Sequence, residues 1–473
     1  MPDAPALSDP IAPDLTGKRL HFVGIGGSGM SGLARLCAAQ GAVVTGSERE
    51  ESDAVDKLRA QGFAVAVPQT GDALPDAADE VIVSAAIPID HPERTAAGRR
   101  GVPVTKYAAL LGRLMIGRRG VAVAGTHGKS TTTSILCHAL LQSGLDPSFI
   151  LGAHCEQIGG GARAGGANGA GTASDVLIAE ACEYDRSFHN FHPTHGLILN
   201  VEADHLDLYA SIDEIVESFA HFAALIHRDG SLLIQHESPH RMAITAGVKC
   251  PVETLGFAPQ ADWHVELDGE HVTLKDRGMP VAEWDSPMPG DHFAYNAAAA
   301  AATAHRLGAG WDTIAPAISG FAGLDRRMQR IGERGGVTLV DDYGHHPTEI
   351  DTTLRALRSH HNPGRLICVF QPHQHSRTRH LMEQFLVSFG AADVVIVPEI
   401  FFVRDTEQER QSVTAGDLVD RLRGRGVKAR HVHPFEAIAE QLEELVRPGD
   451  LVVTMGAGDV WKVGREWFAG RGP

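Results

Sequence analysis

The sequence predicts an α/β protein of three consecutive domains, each with an open, mainly parallel sheet. Three observations carry this reading. A strand, glycine turn and helix occur in succession near residues 18–40, and the same succession recurs near residues 121–136. In the last third, short apolar runs alternate with helical spacing, as a parallel sheet requires. At 473 residues the chain is too long for one core.

The elements follow in order. Residues 18–23 read as a strand entering Gly24-Ile25-Gly26-Gly27-Ser28-Gly29, and helical spacing runs from Met30 to Gln40. Residues 42–46 form a second strand that ends at Ser47 and Glu48, and residues 81–84 form a later strand ending at Ser84. Residues 1–116 are therefore one Rossmann-like unit. The second unit, 117–325, opens with the apolar run 121–124 and the turn Gly125-Thr126-His127-Gly128-Lys129-Ser130, before a helix that begins at Thr131. The Gly/Ala-rich stretch 159–171 is expected to be mobile, strands are expected at 176–179 and 196–200, and an Ala-rich helix at 296–307. The third unit, 326–473, carries strands at 337–340, 366–370, 394–397 and 451–454.

Two of the turns carry phosphate chemistry. Backbone N–H groups and the positive end of a helix converge at a strand-to-helix turn, where phosphate oxygens are stabilised. In the 125–130 turn, Lys129 adds a charge for the terminal phosphates and Ser130 a hydroxyl for Mg²⁺, so the central unit reads as a P-loop-type ATPase domain. The pattern is the short form, because Val123 stands where the longer motif has its first glycine. The turn at Gly24, Gly26 and Gly29, with Glu48 beyond it, fits either a dinucleotide or another diphosphate such as a nucleotide sugar.

Acids follow the next strands. Glu180 ends an apolar run, and His205 lies in Asn200-Val201-Glu202-Ala203-Asp204-His205-Leu206-Asp207. With Ser130 they supply a set for one or two Mg²⁺ ions. In the third unit Asp341 to Glu349 and Gln371 to Arg379 are dense in ionisable groups. Arginines there would repel a cation, so recognition of an amino acid is favoured over a hydrolase metal site: Arg377 or Arg379 for the carboxylate, Asp342 or His345 for the amine.

The bulk numbers exclude other classes. A formal net charge of -17 disfavours non-specific binding to nucleic acid. No apolar run approaches membrane-spanning length, and the N-terminal residues do not read as a secretory signal. Six cysteines without CxxC spacing fit a reducing cytoplasm.

Taken in order, these segments resemble the Mur ligases, ATP-dependent amide ligases of peptidoglycan precursor synthesis. The likeness runs from about residue 18 to about 465 and lies in GIGGSGMSGLA (24–34), AGTHGKS (124–130), NVEADHLD (200–207), VDDYGHHPTEI (340–350) and MGAGDVW (455–461). It implies ATP-dependent ligation of L-alanine to the carboxylate of UDP-N-acetylmuramate through an acyl phosphate. It also implies a UDP-sugar domain (1–116), an ATP domain (117–325) and an amino-acid domain (326–473). By this likeness Gly24, Gly26, Gly27, Ser28, Gly29, Met30, Ser47 and Ser84 face the UDP-sugar. Gly125, Thr126, His127, Gly128, Lys129, Ser130, Thr131 and Asn296 face ATP, and Ser130, Glu180 and His205 hold Mg²⁺. Lys129, His205, Arg327, Asp342 and His345 serve catalysis, while Tyr343, His345, Arg377 and Arg379 meet the amino acid. The expected assembly is a cytoplasmic monomer or homodimer with small-molecule partners only.

The chain departs from the family pattern at Phe293, where a second adenine-side amide is usual, and at Gln374 and His375, where F-Q-P-H-R-Y is common. Ser130 replaces the more frequent Thr. Three other readings stand beside the first: a ligase attaching a preformed tripeptide to the same nucleotide sugar, a nicotinamide oxidoreductase, and a nucleotide switch without turnover. The acyl phosphate must be kept from water, which gives domain closure a purpose and makes residues 321–327 the expected hinge.

Overall fold

The computed structural model describes residues 12–166, 175–206 and 208–470. Part of the Gly/Ala-rich stretch (167–171) and Asp207 lie outside them. Among the described residues there are three sheets.

The first sheet is parallel throughout and has the strand order Ala64–Ala66, Val43–Ser47, Arg19–Val23, Glu80–Val83, Val104–Lys106. Strand order reverses beside Arg19–Val23, the place where an open α/β sheet leaves a crevice. Val23 pairs in register with Ser47 and Val83, so the glycine turn, Ser47 and Ser84 emerge at one edge. Helix Ser28–Ala39 follows the turn. It packs closely on the second sheet at Gly32, where a Cβ would lie 2.6 Å from the Cβ of Ala162.

The second sheet has a parallel centre, with Arg119–Ala124 flanked by Val176–Ala181 and His195–Ile198. The antiparallel strands His271–Asp276 and Met279–Asp285 extend one edge. Ala162–Arg163, within the stretch expected to be mobile, is a short strand paired with Ser148–Ile150. Arg163 is tied to Asp146 at 2.6 Å, and the Gly166 N–H donates to the same carboxylate, which explains why this part is held. Helices Lys129–Gln142 and Asp291–Arg306 pack together, and the buried alanines 297–302 permit their approach.

The third sheet places Val337–Asp342, Leu451–Met455, Leu366–Phe370, Val394–Val397 and Ala429–His431 side by side in parallel, with Gln329–Arg334 antiparallel at the edge. Asp342 and Phe370 both pair with Met455, so the loops after these strands share one rim. Aliphatic side chains fill both faces of each sheet, as covered parallel sheets require.

Candidate active site

The phosphate turn is built by geometry that its residue types dictate. Gly125 (φ 143°) and Gly128 (φ 83°) adopt conformations that L side chains rarely take, and helix Lys129–Gln142 begins directly after them. Asn200 braces the turn: its Oδ1 accepts from His127 N–H at 2.7 Å, and its Nδ2 donates to the His127 carbonyl at 3.1 Å. Thr126 and Glu202 are joined by a second tie, Glu202 N–H to Thr126 Oγ1 at 2.9 Å. Asn200 takes the N–H groups of both Thr126 and His127, so what the turn presents is the N-terminus of helix Lys129–Gln142, which begins after Gly128.

Lys129 folds back across this turn. Its ammonium donates to the carbonyls of Gly125 and Thr126 and lies 3.0 Å from Glu183 Oε2. Burial opposes its charge, but Glu183 outweighs burial and raises its pKa above the ordinary lysine value. Ser130 Oγ donates to Glu180 Oε2 at 3.1 Å, and Glu180 Oε1 accepts from Gly152 N–H at 2.7 Å. Nearby, His205 holds the left-handed conformation (φ 54°) with Nε2 3.9 Å from Glu183, while its buried Nδ1 has no partner among the described residues. Ser130 and Glu180 offer the oxygen donors that a hard divalent cation such as Mg²⁺ takes, and the fit rests on them; the free nitrogen of His205 is a softer donor.

The third domain closes over this edge. His127 lies 3.3 Å from Glu349 and 3.5 Å from Glu202, and Arg327 lies 3.5 Å from Glu349. Burial disfavours a charged His127 ring, yet Glu349 and Glu202 overcome it and raise its pKa to about 9. Thr348 Oγ1 donates to Glu202 at 2.6 Å, and His346 Nε2 lies 3.2 Å from the Ala203 carbonyl. Arg377 grips Asp204 through Nε and Nη2 at 3.0 and 2.8 Å, both side chains being buried. A cavity of about 290 Å³ remains between the domains, lined by His127, Gly128, Asn296, Phe293, Arg327 and Asp342 among others.

Residues 321–328 connect the second and third domains and contain two left-handed residues, Arg326 (φ 60°) and Met328 (φ 44°). Arg326 donates to the Gly456 carbonyl at 2.6 Å and lies 3.2 Å from Asp341, while Met328 N–H donates to Asp342 Oδ2 at 2.7 Å. Asp342 Oδ1 accepts from Gly344 N–H at 2.7 Å. Burial lifts the Asp342 pKa to about 6, with Arg327 opposing. His345 Nδ1 faces the Tyr343 carbonyl at 3.2 Å, which assigns the ring proton to Nδ1 and leaves the lone pair on Nε2. Burial pushes the His345 pKa down to about 4.

The predicted residues fall in three places. Gly125 to Thr131, Asn296, Arg327, Asp342, Tyr343 and His345 gather where the second and third domains meet, and Glu180 and His205 stand beside the turn. The N-terminal group is separate. Gly24 and the first turn of the helix lie at the sheet edge, but Met30 is buried in the core and the Ser47 hydroxyl donates to buried Glu93 at 2.7 Å, so neither side chain is presented to a ligand. Glu48 accepts from Gly26 N–H at 2.9 Å. The structure does not bring Arg379 to the site: it is exposed, and its neighbour is His380. Arg377 is at the junction but engaged by Asp204. Sequence reasoning left Glu183, Glu349 and Asp204 without roles. Glu349 was findable, since H-P-T-E is a helix start whose N3 acid closes a capping box with His346.

Family models match nearly the whole chain: the Mur ligase family catalytic domain at 19–119, the Mur ligase middle domain at 123–304, and the Mur ligase glutamate ligase domain at 326–458. The chain belongs to the Mur ligase family. It is 39% identical to the UDP-N-acetylmuramate--L-alanine ligase of Desulfitobacterium hafniense, over 94% of this chain and 98% of that protein. The protein of that name from Caldanaerobacter subterraneus is 37% identical over 95% of this chain and 97% of its own. Among solved Mur ligases, the crystal structure of UDP-N-acetylmuramate-alanine ligase MurC from Thermotoga maritima superposes with a TM-score of 0.76 at 24% identity, covering 95% of this chain and 98% of that one. A murein peptide ligase from Psychrobacter arcticus gives 0.69 at 24% identity, over 96% and 98%. Both likenesses establish the Mur ligase fold. Among the described residues no helix is long and apolar enough to cross a membrane.

Proposed function

We propose that this Mur ligase joins L-alanine to the carboxylate of UDP-N-acetylmuramate at the expense of ATP, in the cytoplasm. The observation that carries the reading is the apposition of the phosphate turn to a histidine- and arginine-rich rim of another domain, supported by relatives that bear this name at 37–39% identity. Those relatives favour the ligase over the tripeptide, nicotinamide and switch readings.

The N-terminal glycine turn would take the UDP diphosphate, the second domain ATP and the third the amino acid. In this reading the cavity beside Asn296 takes the adenine and ribose. Lys129 would leave the carbonyls of its own turn for the terminal phosphates, with Glu183 keeping it charged. Ser130, Glu180 and His205 would hold Mg²⁺, which when bound offsets phosphate charge. A carboxylate is a poor electrophile, so phosphorylation to an acyl phosphate precedes attack by the amine. The N-terminus of helix Lys129–Gln142, the Lys129 ammonium and Arg327 supply the positive field for that transfer.

His345 is preferred to Asp342 as the proton acceptor on geometry, not on basicity, since burial lowers its pKa to about 4 and lifts that of Asp342 to about 6. Among the described residues its Nε2 has no hydrogen-bond partner, whereas both oxygens of Asp342 are held by backbone donors. Asp342 therefore orders the hinge, and His345 takes the proton of the attacking amine. The His127, Glu349 and Arg327 contacts close the second and third domains together and keep water from the acyl phosphate.

Phosphate release tests the reading, measured with ATP, UDP-N-acetylmuramate and, in turn, alanine, glycine, serine and the tripeptide. Alanine should give the highest kcat/KM. Release that requires the tripeptide would transfer the assignment to the other ligase, and release independent of the nucleotude sugar would remove it.

A further inference from the structure

We infer that Glu399, His431 and His433 form a surface site for a first-row transition metal ion such as Zn²⁺, separate from the ligase centre. The site arises from strand register. His431 ends the edge strand Ala429–His431 and pairs with Val397 of the neighbouring strand. Val432 N–H continues the ladder to the Val397 carbonyl at 3.1 Å, and Val432 packs against the core. Extended chain alternates its side chains, so His431 and His433 both project from the face opposite Val432. Glu399, two residues beyond Val397, meets them there.

The geometry is that of a ligand set. One nitrogen from each ring and a Glu399 oxygen all lie within 4.8 Å of one another. His431 Nε2 is 3.2 Å, and His433 Nε2 3.6 Å, from Glu399 Oε1, with ring centroids 5.2 Å apart. His431 Nε2 is shielded from solvent and makes no hydrogen bond among the described residues, while Nδ1 of the same ring looks toward helix Ala415–Gly424 at Gly416. An unpartnered nitrogen beside a carboxylate and a second imidazole lacks only a shared positive centre. The Glu399 and His433 side chains are 58% and 57% exposed, so an ion can enter and keep water in its remaining positions. Two imidazoles and one carboxylate suit Zn²⁺, Co²⁺, Ni²⁺ or Cu²⁺ over Mg²⁺ or Ca²⁺, which take oxygen donors.

Another histidine and glutamate group, His127, Glu202 and His346, has comparable spacing. There His127 is held protonated by two carboxylates and makes the ion pairs of the domain junction, so it offers no lone pair.

Occupancy would have a structural effect. The Glu399 carbonyl accepts from Gln371 Nε2 at 3.3 Å, and Phe401 stacks on His373 and exchanges backbone hydrogen bonds with Pro372 and Gln374. A metal bridging Glu399 to the edge strand would brace residues 399–401 against the loop after strand Leu366–Phe370.

The test uses the full chain after chelator treatment, with Co²⁺ as the optical probe and Zn²⁺ in equilibrium dialysis. The wild type is expected to bind one more equivalent of Zn²⁺ than the H431N/H433N double variant, and to show a visible Co²⁺ band that the double variant lacks and E399Q weakens. Zn²⁺ should raise the Tm of the wild type and leave that of the double variant unmoved. Equal uptake by wild type and double variant, or none by the wild type, overturns the inference. Matching circular dichroism spectra, and ligase turnover in Mg²⁺ without Zn²⁺ that is undiminished in the double variant, show that a lost site is not lost folding.

Discussion

His127 of the phosphate turn and Glu349 of the third domain meet at 3.3 Å, across the boundary between the second and third domains. The His127 pKa is raised to about 9 from an ordinary value near 6.5, so the charged ring favours the folded, closed form. That contribution is complete below pH 6.5 and is lost as pH rises through about 9. Closure measured by small-angle scattering, with nucleotide analogue and both other substrates present, should therefore weaken between pH 7 and pH 9.5 in the wild type. A His127→Gln variant should be looser throughout and lack this trend; an identical pH response in both would refute the assignment.

Lys129→Ala should abolish ATP-dependent phosphate release, with kcat falling about 10³-fold or more, because the turn loses its one mobile cation. Glu183→Gln should act more mildly. It removes the carboxylate that keeps Lys129 charged, so the signature is an activity loss that grows as pH is raised toward 10, read from initial rates.

Gly128→Ala should raise the KM for ATP by at least tenfold. The residue sits at φ 83°, and its new Cβ would lie 2.5 Å from Asn296 Oδ1. Asn296→Ala in the same background removes the clash but also the amide placed beside adenine, so it should restore thermal stability in part and leave ATP affinity low, while the backbone strain persists. Thermal unfolding and isothermal titration with an ATP analogue separate the two effects.

His345→Gln should lower kcat by about 10²- to 10⁴-fold, the range of a lost general base, while acyl phosphate still forms and can be trapped. A trapped yield falling in parallel with turnover would place His345 in phosphoryl transfer.

Asp204→Asn leaves Arg377 buried with its charge uncompensated. Breaking a buried pair on one side costs about 3–5 kcal/mol, so the variant should unfold at lower denaturant and populate more of an open form. The double variant Asp204→Asn, Arg377→Met should be nearer the wild type in stability, which denaturant titration will show.

Much of this protein was legible in its linear order. Strand-to-helix glycine turns, apolar runs and acids at strand ends fixed the α/β class and the phosphate turn, because backbone geometry and helix polarity act over a few residues. The antiparallel hairpin His271–Asp285 and the short strand at Ala162 were not read, since edge pairing depends on what lies beside it. Tertiary structure decided how charges are matched. Arg377 and Arg379 look alike in sequence, yet one is buried against Asp204, 173 residues away, and the other is exposed. Met30 follows a turn and Ser47 ends a strand, both places that suit a ligand, but side-chain direction and burial turned both inward. Local chemistry sets which groups a segment can offer; the low dielectric and close approach of folded domains set which partner each one takes.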